Sequence, residues 1–183
     1  MFENLNLLGI LTLLSQILII LCLLLYLTSR FFTSSKKLAD KIKLFSGKHA
    51  LLLGFIVSLV ATLGSLYYSE IMGYDPCKLC WFQRILMYPQ VLLFGIALWK
   101  KDHTIYRYTL PLSLLGLLTA AYHYRLQITT KIAKTVAESC SLTGPSCSDI
   151  PFTFAFYITI PLMAFTAFLL ITLLMYQLKK HHI

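Results

Sequence analysis

Four of the five cysteines form two closely spaced pairs, a spacing that suits thiol–disulfide chemistry. Cys77 and Cys80 form a Cys-Lys-Leu-Cys unit, and residues three apart in a helix are near neighbours, so a disulfide between them is feasible. Cys140 and Cys147 flank a Gly-Pro turn, which predicts that they meet in a small, exposed loop. Exposed disulfides are the exchangeable kind, although a purely structural staple is the alternative for this pair. Cys22 lies alone in an apolar run, and we expect it to be an inert small hydrophobic residue.

The residues around the first pair predict a reactive thiol near a buried charge. Asp75 is a good N-cap and Pro76 suits the first helical position, so a helix should begin just before Cys77. A helix N-terminus stabilises an anion and therefore favours the thiolate, which is the reactive form. Arg84 follows Cys80 by four residues, on the same helical face and one turn deeper. Arg84 either snorkels to the lipid headgroups or, as we favour, supports the thiolate and donates hydrogen bonds to a carbonyl-bearing ligand dissolved in the membrane.

Long apolar runs must position these residues. The chain has 183 residues, of which 58% are hydrophobic and 13% charged, and its mean hydropathy is +0.75. Such values indicate an integral membrane protein, and continuous rather than alternating apolar runs favour helices over a β-barrel. Each run is about the length of a membrane-spanning helix, roughly 20 residues. The five predicted spans are Leu5 to Leu27, Ala50 to Ser69, Trp81 to Trp99, Tyr108 to Tyr124 and Phe152 to Leu178.

The net charge of +9 is distributed unevenly between the connecting segments. Segments 28–49, 100–107 and 179–183 hold eleven of the sixteen Lys and Arg residues and only two acidic ones. The segments on the opposite side sum to zero. This positive-inside pattern predicts an outside N-terminus, a cytoplasmic C-terminus and all four paired cysteines outside. The basic stretch from Lys36 to Lys48 is then a topology signal near anionic headgroups rather than a nucleic-acid site.

We expect the first apolar run to be a retained anchor rather than a cleaved signal peptide, because Glu3 precedes it and basic residues follow it. Near the other end of the chain, Ile128, Ile132 and Val136 recur every four residues. This repeat predicts a short amphipathic helix lying in the membrane interface and holding Cys140 at the surface. His123 ends the fourth run, and packing in the interface and a polar contact to a bound ligand are both open interpretations.

The stretch Asp75-Pro-Cys-Lys-Leu-Cys-Trp-Phe-Gln-Arg84, with a Cys-x-x-Cys followed by Gln-Arg at the start of a span, resembles the disulfide bond formation protein B (DsbB) family. Tyr122-His-Tyr124 and the two loop cysteines are similar to landmarks of its short-loop, BdbC-like branch. The resemblance covers about Leu51 to Leu178. It implies an all-α integral membrane protein, a four-helix transmembrane bundle plus one extra N-terminal transmembrane helix. Residues 1–49 would be an N-terminal anchor with a basic cytoplasmic loop, and residues 50–183 the redox domain.

The resemblance also implies a function, a quinone-dependent oxidation of protein thiols in the bacterial inner membrane. The implied partner is an extracytoplasmic thioredoxin-fold (DsbA-like) oxidase, and the implied electron acceptor is ubiquinone or menaquinone. By the same resemblance, Cys140 would form the mixed disulfide with the partner and Cys147 would close on Cys77. Cys80 would then meet the quinone. The implied quinone-binding residues are Arg84, Gln83 and His123, and no metal or nucleic acid is expected.

Two other functions are compatible with the same residues. The four outward cysteines could form a structural zinc site, although structural zinc sites favour paired short spacings, which Cys140 and Cys147 do not have. The relay could also run in reverse as a quinol-driven disulfide reductase, because the direction follows the relative potentials of partner and quinone.

Overall fold

The computed structural model describes residues 3–29, 33–133 and 145–181, and this part of the chain is an all-α bundle. The fold class predicted from the sequence is thereby confirmed. The five long helices are α1 (Glu3–Thr28), α2 (Thr33–Leu66), α3 (Lys78–Lys100), α4 (Tyr106–Ala133) and α5 (Ile160–His181). A π-helical turn, Tyr67–Ile71, extends α2, and a 3-10 turn, His103–Ile105, precedes α4.

Four of these helices, α1, α2, α3 and α5, are long and apolar enough to cross a membrane. The protein is therefore a multi-pass membrane protein. Helix α4 has 28 residues, enough for a span by length, but its composition is more polar. It packs against α3 and α5, so it belongs to the same bundle.

Close helix contacts at small residues hold the bundle together. A Cβ atom added at Gly54 of α2 would lie 3.0 Å from the ring of Phe94 on α3, and one added at Gly116 of α4 would overlap the ring of Phe168 on α5. Both rings are fully buried. Membrane helices associate mainly by such packing, because lipid supplies no hydrophobic driving force between them. These contacts fix the spacing of α2, α3, α4 and α5 around the site described below.

The prediction of a basic loop at 28–49 is wrong for residues 33–49, because these residues form the first turns of α2. Helix α2 has 34 residues and is therefore about 51 Å long, whereas the hydrocarbon core of a bilayer is about 30 Å thick. Lysine is a good helix former, so the helix continues past the apolar run instead of ending with it. The basic residues lie on this overhanging end.

The predicted start of α3 is also wrong, because Cys77 rather than Asp75 is its N-cap residue. The chain from Gly73 to Cys77 is not helical, and Gly73 has a φ of +70°. The backbone N–H of Tyr74 donates to the Tyr68 carbonyl at 3.0 Å, and the two tyrosine rings stack with centroids 6.2 Å apart. These contacts hold the segment against the end of α2, and the helix begins two residues later than expected.

The segment between α4 and α5 differs from the prediction at both ends. Residues 127–133 continue α4, so no separate interfacial helix begins at Gln127, while Val136 and Cys140 lie outside the described residues. The fifth span begins at Ile160 instead of Phe152. The residues before it form a tight turn in which Phe154 and Ile158 exchange backbone hydrogen bonds of 2.8 and 2.9 Å. Two residues of this turn have positive φ, which excludes a helix there: Ala155 and Phe156.

Candidate redox site

Cys77 and Cys80 lie together at the N-terminus of α3. Their sulfur atoms are 3.4 Å apart, and the Cys77 thiol donates a hydrogen bond to Cys80. Cys77 is 5% exposed and Cys80 is half-buried. The pair is thus a dithiol whose sulfurs need only a small approach to reach the roughly 2.05 Å of a disulfide bond.

The Cys77 thiol holds its proton strongly. Its hydrogen bond to Cys80 and its burial raise its pKa from 9.0 to about 11. The hydrogen bond and the burial thus oppose, at Cys77, the thiolate that the helix N-terminus was expected to favour. The Cys80 sulfur is the acceptor of this hydrogen bond, so the two cysteines are chemically distinct before any reaction.

His123 connects the pair to the second cysteine segment. Its side chain is 2% exposed, with Nε2 3.7 Å from Cys77 Sγ and 3.0 Å from the Cys147 carbonyl oxygen. A carbonyl only accepts, so Nε2 carries the hydrogen, and Nδ1 of the neutral ring accepts from Gln83 Nε2 at 3.1 Å. Gln83 therefore orients the ring, and the ring holds Cys147 beside Cys77. His123 is a buried contact between cysteines rather than an interfacial packing residue.

Gln127 provides a second attachment for the same segment. Its Nε2 donates to the Asp149 carbonyl at 2.8 Å, one helical turn beyond His123 on α4. Cys147 is consequently buried, at 1% exposure, and the prediction of an exposed position is wrong for it. Its predicted partner Cys140 lies outside the described residues. Sequence reasoning missed Gln127, although its spacing of four from His123 placed it on the same helical face.

Arg84 is buried on α3 and bound to the end of α2. Its Nε donates to Ser65 Oγ at 3.1 Å and its Nη2 to the Ser65 carbonyl at 3.2 Å, while Tyr88 Oη donates to the same hydroxyl at 3.1 Å. The guanidinium carbon lies 5.3 Å from the centre of the Trp81 ring. With only 9% of Arg84 exposed, snorkelling to headgroups does not describe this side chain. Ser65 and Tyr88 are further site residues that the sequence did not reveal.

One cavity of about 820 Å³ joins these groups. The five residues predicted for this part of the site all line it, together with further polar residues such as Ser65, Gln127 and Asp149: Cys77, Cys80, Gln83, Arg84 and His123. Its remaining walls are mostly apolar and come from α1, α2, α3 and α5, for example at Leu11, Val60, Met87 and Phe168. The structure therefore brings the predicted residues of α3 and α4 to a single space with both polar and apolar walls.

The sulfur atoms of Cys77 and Cys80 and a ring nitrogen of His123 all lie within 4.8 Å of one another. Thiolate and imidazole are the ligands that zinc prefers. The reduced site could therefore hold a metal ion, with a ligand set different from the four cysteines of the zinc alternative.

Comparisons with known proteins agree on one family. The family model "Disulfide bond formation protein DsbB" matches residues 47–178. A "Probable disulfide formation protein C" of Bacillus cereus is 41% identical over 139 residues, which are 73% of this chain and 94% of that protein. The "Disulfide bond formation protein C" of Bacillus subtilis is 42% identical over 125 residues, 68% of this chain and 88% of its own length. No solved structure matches the chain.

The fold and the site together define a multi-pass membrane protein with a thiol–disulfide centre at one end of its helical bundle. The chain belongs to the disulfide bond formation protein DsbB family, which confirms the resemblance seen in the sequence. It is accordingly a disulfide-forming oxidoreductase. The family match begins at residue 47, so α1 and the first turns of α2 lie outside it.

Proposed function

We propose that this protein is a quinone-dependent thiol oxidase that reoxidises an extracytoplasmic thioredoxin-fold (DsbA-like) partner. The observation that carries the proposal is the single cavity that contains both Cys80 and the buried guanidinium of Arg84. A buried charge is costly, and an ionisable residue at membrane depth is by default functional. Arg84 has no ion-pair partner among the described residues, because the ion pair that they form joins Lys43 and Asp40.

The cavity fits a membrane quinone in size and in polarity. Its volume lies within the usual range for small-molecule sites, about 300 to 1,000 Å³. Two N–H groups of Arg84 donate to Ser65, and the remaining ones are available to a carbonyl oxygen. The apolar walls suit an isoprenoid chain. When bound, ubiquinone or menaquinone would supply an acceptor for two electrons and two protons.

The cysteines would pass these electrons from the partner toward the cavity. In the proposed relay, the partner dithiol is oxidised while the Cys140–Cys147 disulfide is reduced, by way of a mixed disulfide at Cys140. Cys147 then attacks Cys77, which opens the Cys77–Cys80 disulfide and releases Cys80 as a thiolate. Closure of Cys140 on Cys147 leaves the first pair as a dithiol, whose two electrons and two protons go to the acceptor.

The described contacts support the exchange between the two pairs. The Cys147 backbone is bonded to the imidazole that lies 3.7 Å from Cys77 Sγ, so the second segment is already held at the first pair. The Cys77 thiol donates its hydrogen bond to the Cys80 sulfur, and both cysteines line the cavity. A lower-pKa thiol leaves faster in exchange, and a strongly protonated Cys77 is the poorer leaving group of the two.

We further propose that the protein lies in the bacterial inner membrane with its N-terminus outside and its C-terminus cytoplasmic. The support is the charge distribution, in which the overhanging basic end of α2 shares its side with the C-terminal lysines. A reporter fused after Ile183 should be active if it is one that works in the cytoplasm and inactive if it is one that works outside. An active extracytoplasmic reporter there would contradict the orientation and the outward position of the cysteines.

The central experiment combines purified protein, a reduced thioredoxin-fold partner and a short-chain quinone. Loss of partner thiols should match loss of quinone absorbance, two thiols for each quinone. If the protein consumed quinol in the presence of oxidised partner, and consumed no quinone in the presence of reduced partner, it would be the reductase instead. Thiol oxidation without any quinone consumption would refute the proposal, and a stoichiometric zinc content after purification would favour the metal site.

A further inference from the structure

We propose that α1, the helix outside the family match, forms the lipid-facing wall of the quinone cavity and restricts which quinones reach Cys80. This inference rests on the proposed function, because it concerns the same cavity. Four residues spaced along one face of α1 line that cavity: Leu8, Leu11, Thr12 and Ser15. The opposite face of α1 is exposed along its length.

Helix α1 reaches the cavity at the level of the buried arginine. A Cβ atom added at Gly64 of α2 would lie 3.1 Å from the side chain of Leu8, and the next residue, Ser65, is the one that binds Arg84. From Leu8 to Ser15 the helix advances about 10 Å. The wall therefore covers the cavity from the guanidinium to about two turns deeper, which is where the first chain units of a quinone would lie if its ring contacts Arg84.

A polar residue fixes α1 to the other side of the cavity. Gln16 Nε2 donates to Thr166 Oγ1 of α5 at 3.2 Å, and Tyr157 Oη donates to Gln16 Oε1 at 2.9 Å. An amide inside an apolar helix is costly in lipid unless it is bonded, so these bonds specify where α1 docks. At Gly9 a Cβ atom would lie 2.5 Å from the Phe154 ring, which shows that α1 and the turn before α5 are in close contact.

Two of the four side chains on the cavity face of α1, Thr12 and Ser15, are small. The hydroxyls of Thr12 and Ser15 donate back to carbonyls of α1, at 2.8 Å each, so neither needs a ligand to be satisfied. They leave space without leaving an unsatisfied donor. A larger residue at Ser15 should fill the volume that the quinone chain occupies, whereas the same change on the lipid side should not.

The test compares Ser15→Phe with the matched control Leu14→Phe, whose side chain is 56% exposed and outside the cavity. We expect Ser15→Phe to raise the KM for a long-chain quinone roughly tenfold, as overfilling a packed site does, and Leu14→Phe to leave it unchanged. Single-turnover oxidation of the partner without added quinone should be normal in both variants, which establishes that they are folded. Equal KM values for the two variants would overturn the proposal.

A binding measurement on the wild-type protein gives an independent readout. A quinone analogue with a photoreactive group on its first chain unit should label residues 8–15, and excess unlabelled quinone should suppress this labelling. Labelling confined to α2, α3 and α5 would show that α1 is not part of the wall. Failure of the wild-type protein to consume any quinone would instead refute the proposed function, so the two failures are distinguishable.

Discussion

Replacing Arg84 by glutamine tests the proposed role of the buried charge most directly. The structure shows two hydrogen bonds of this side chain, both to Ser65, and Arg84 lines the cavity. Glutamine is shorter and neutral, so it would lose the charged contact to a quinone carbonyl. A hydrogen bond to a charged group is worth about 1.5 to 3 kcal/mol, which corresponds to roughly a ten- to hundredfold weaker affinity for quinone.

The assay is quinone-dependent turnover with reduced partner, measured across quinone concentration. We expect the KM for quinone in Arg84→Gln to rise by that factor. The reaction of the partner with the Cys140–Cys147 pair, followed in a single turnover without added quinone, should keep its wild-type rate. Ser65→Ala should have a smaller effect, about two- to tenfold, because it removes one neutral acceptor and leaves the backbone carbonyl in place.

The matched control is Arg125→Gln, since Arg125 is an exposed arginine of α4 that does not line the cavity. It should behave as the wild-type protein. If Arg84→Gln and Arg125→Gln gave the same kinetics at limiting quinone, Arg84 would have no part in acceptor binding. Its burial would then need another explanation, such as the packing of α3 against the end of α2.

Three further predictions concern the cysteines. Because the pKa of Cys77 is about 11, only about one molecule in ten thousand carries its thiolate at pH 7. Alkylation of Cys77 in the reduced protein should therefore accelerate about tenfold per pH unit up to pH 10. A rate of alkylation that does not change with pH, measured by mass spectrometry, would contradict this. Turnover should be abolished by Cys140→Ser or Cys147→Ser and retained in Cys22→Ser, and full activity in the Cys140 variant would remove the loop pair from the electron path. If the alternative zinc site is real, Zn²⁺ must bind the reduced protein and not the oxidised one, and His123→Gln must lower the bound zinc found by metal analysis, with the His123 ring giving up its hydrogen bond to the Cys147 carbonyl; equal zinc in both redox states would exclude the dithiol as its ligand.

The number of helices and the position of the first cysteine pair could be predicted from the sequence. Apolar runs mark where lipid requires a helix, and the Cys-x-x-Cys spacing marks a pair on one helical turn. The ends of the helices could not be predicted in the same way. An apolar run ends where the membrane ends, whereas α2 extends about four turns beyond it, through lysines that favour a helix in water.

Contacts between segments that are distant in the chain could not be predicted from the sequence either. Nothing in the local pattern indicates that Cys147 is buried, because its burial depends on His123 and Gln127 bonding the backbone of another segment. The hydroxyl of Ser65 is equally unremarkable in the sequence, and it becomes a site residue only because α3 places Arg84 beside it. The sequence identified Cys147, His123 and Arg84, and the fold added Gln127 and Ser65 as the residues that bind beside them.

In the proposed relay, the position of the first pair at the start of α3 would let one helix serve two reactions. Cys77, as the N-cap, lies at the junction with the Cys147 segment, and Cys80 lies one turn inside the helix, about 4.5 Å further along its axis. A disulfide between them would therefore join the contact with the Cys147 segment to the cavity that both cysteines line. In the proposed relay, opening that disulfide at Cys77 would release the Cys80 sulfur into the cavity that Arg84 also lines, and electrons would pass from the loop to the membrane site while α3 itself stays fixed.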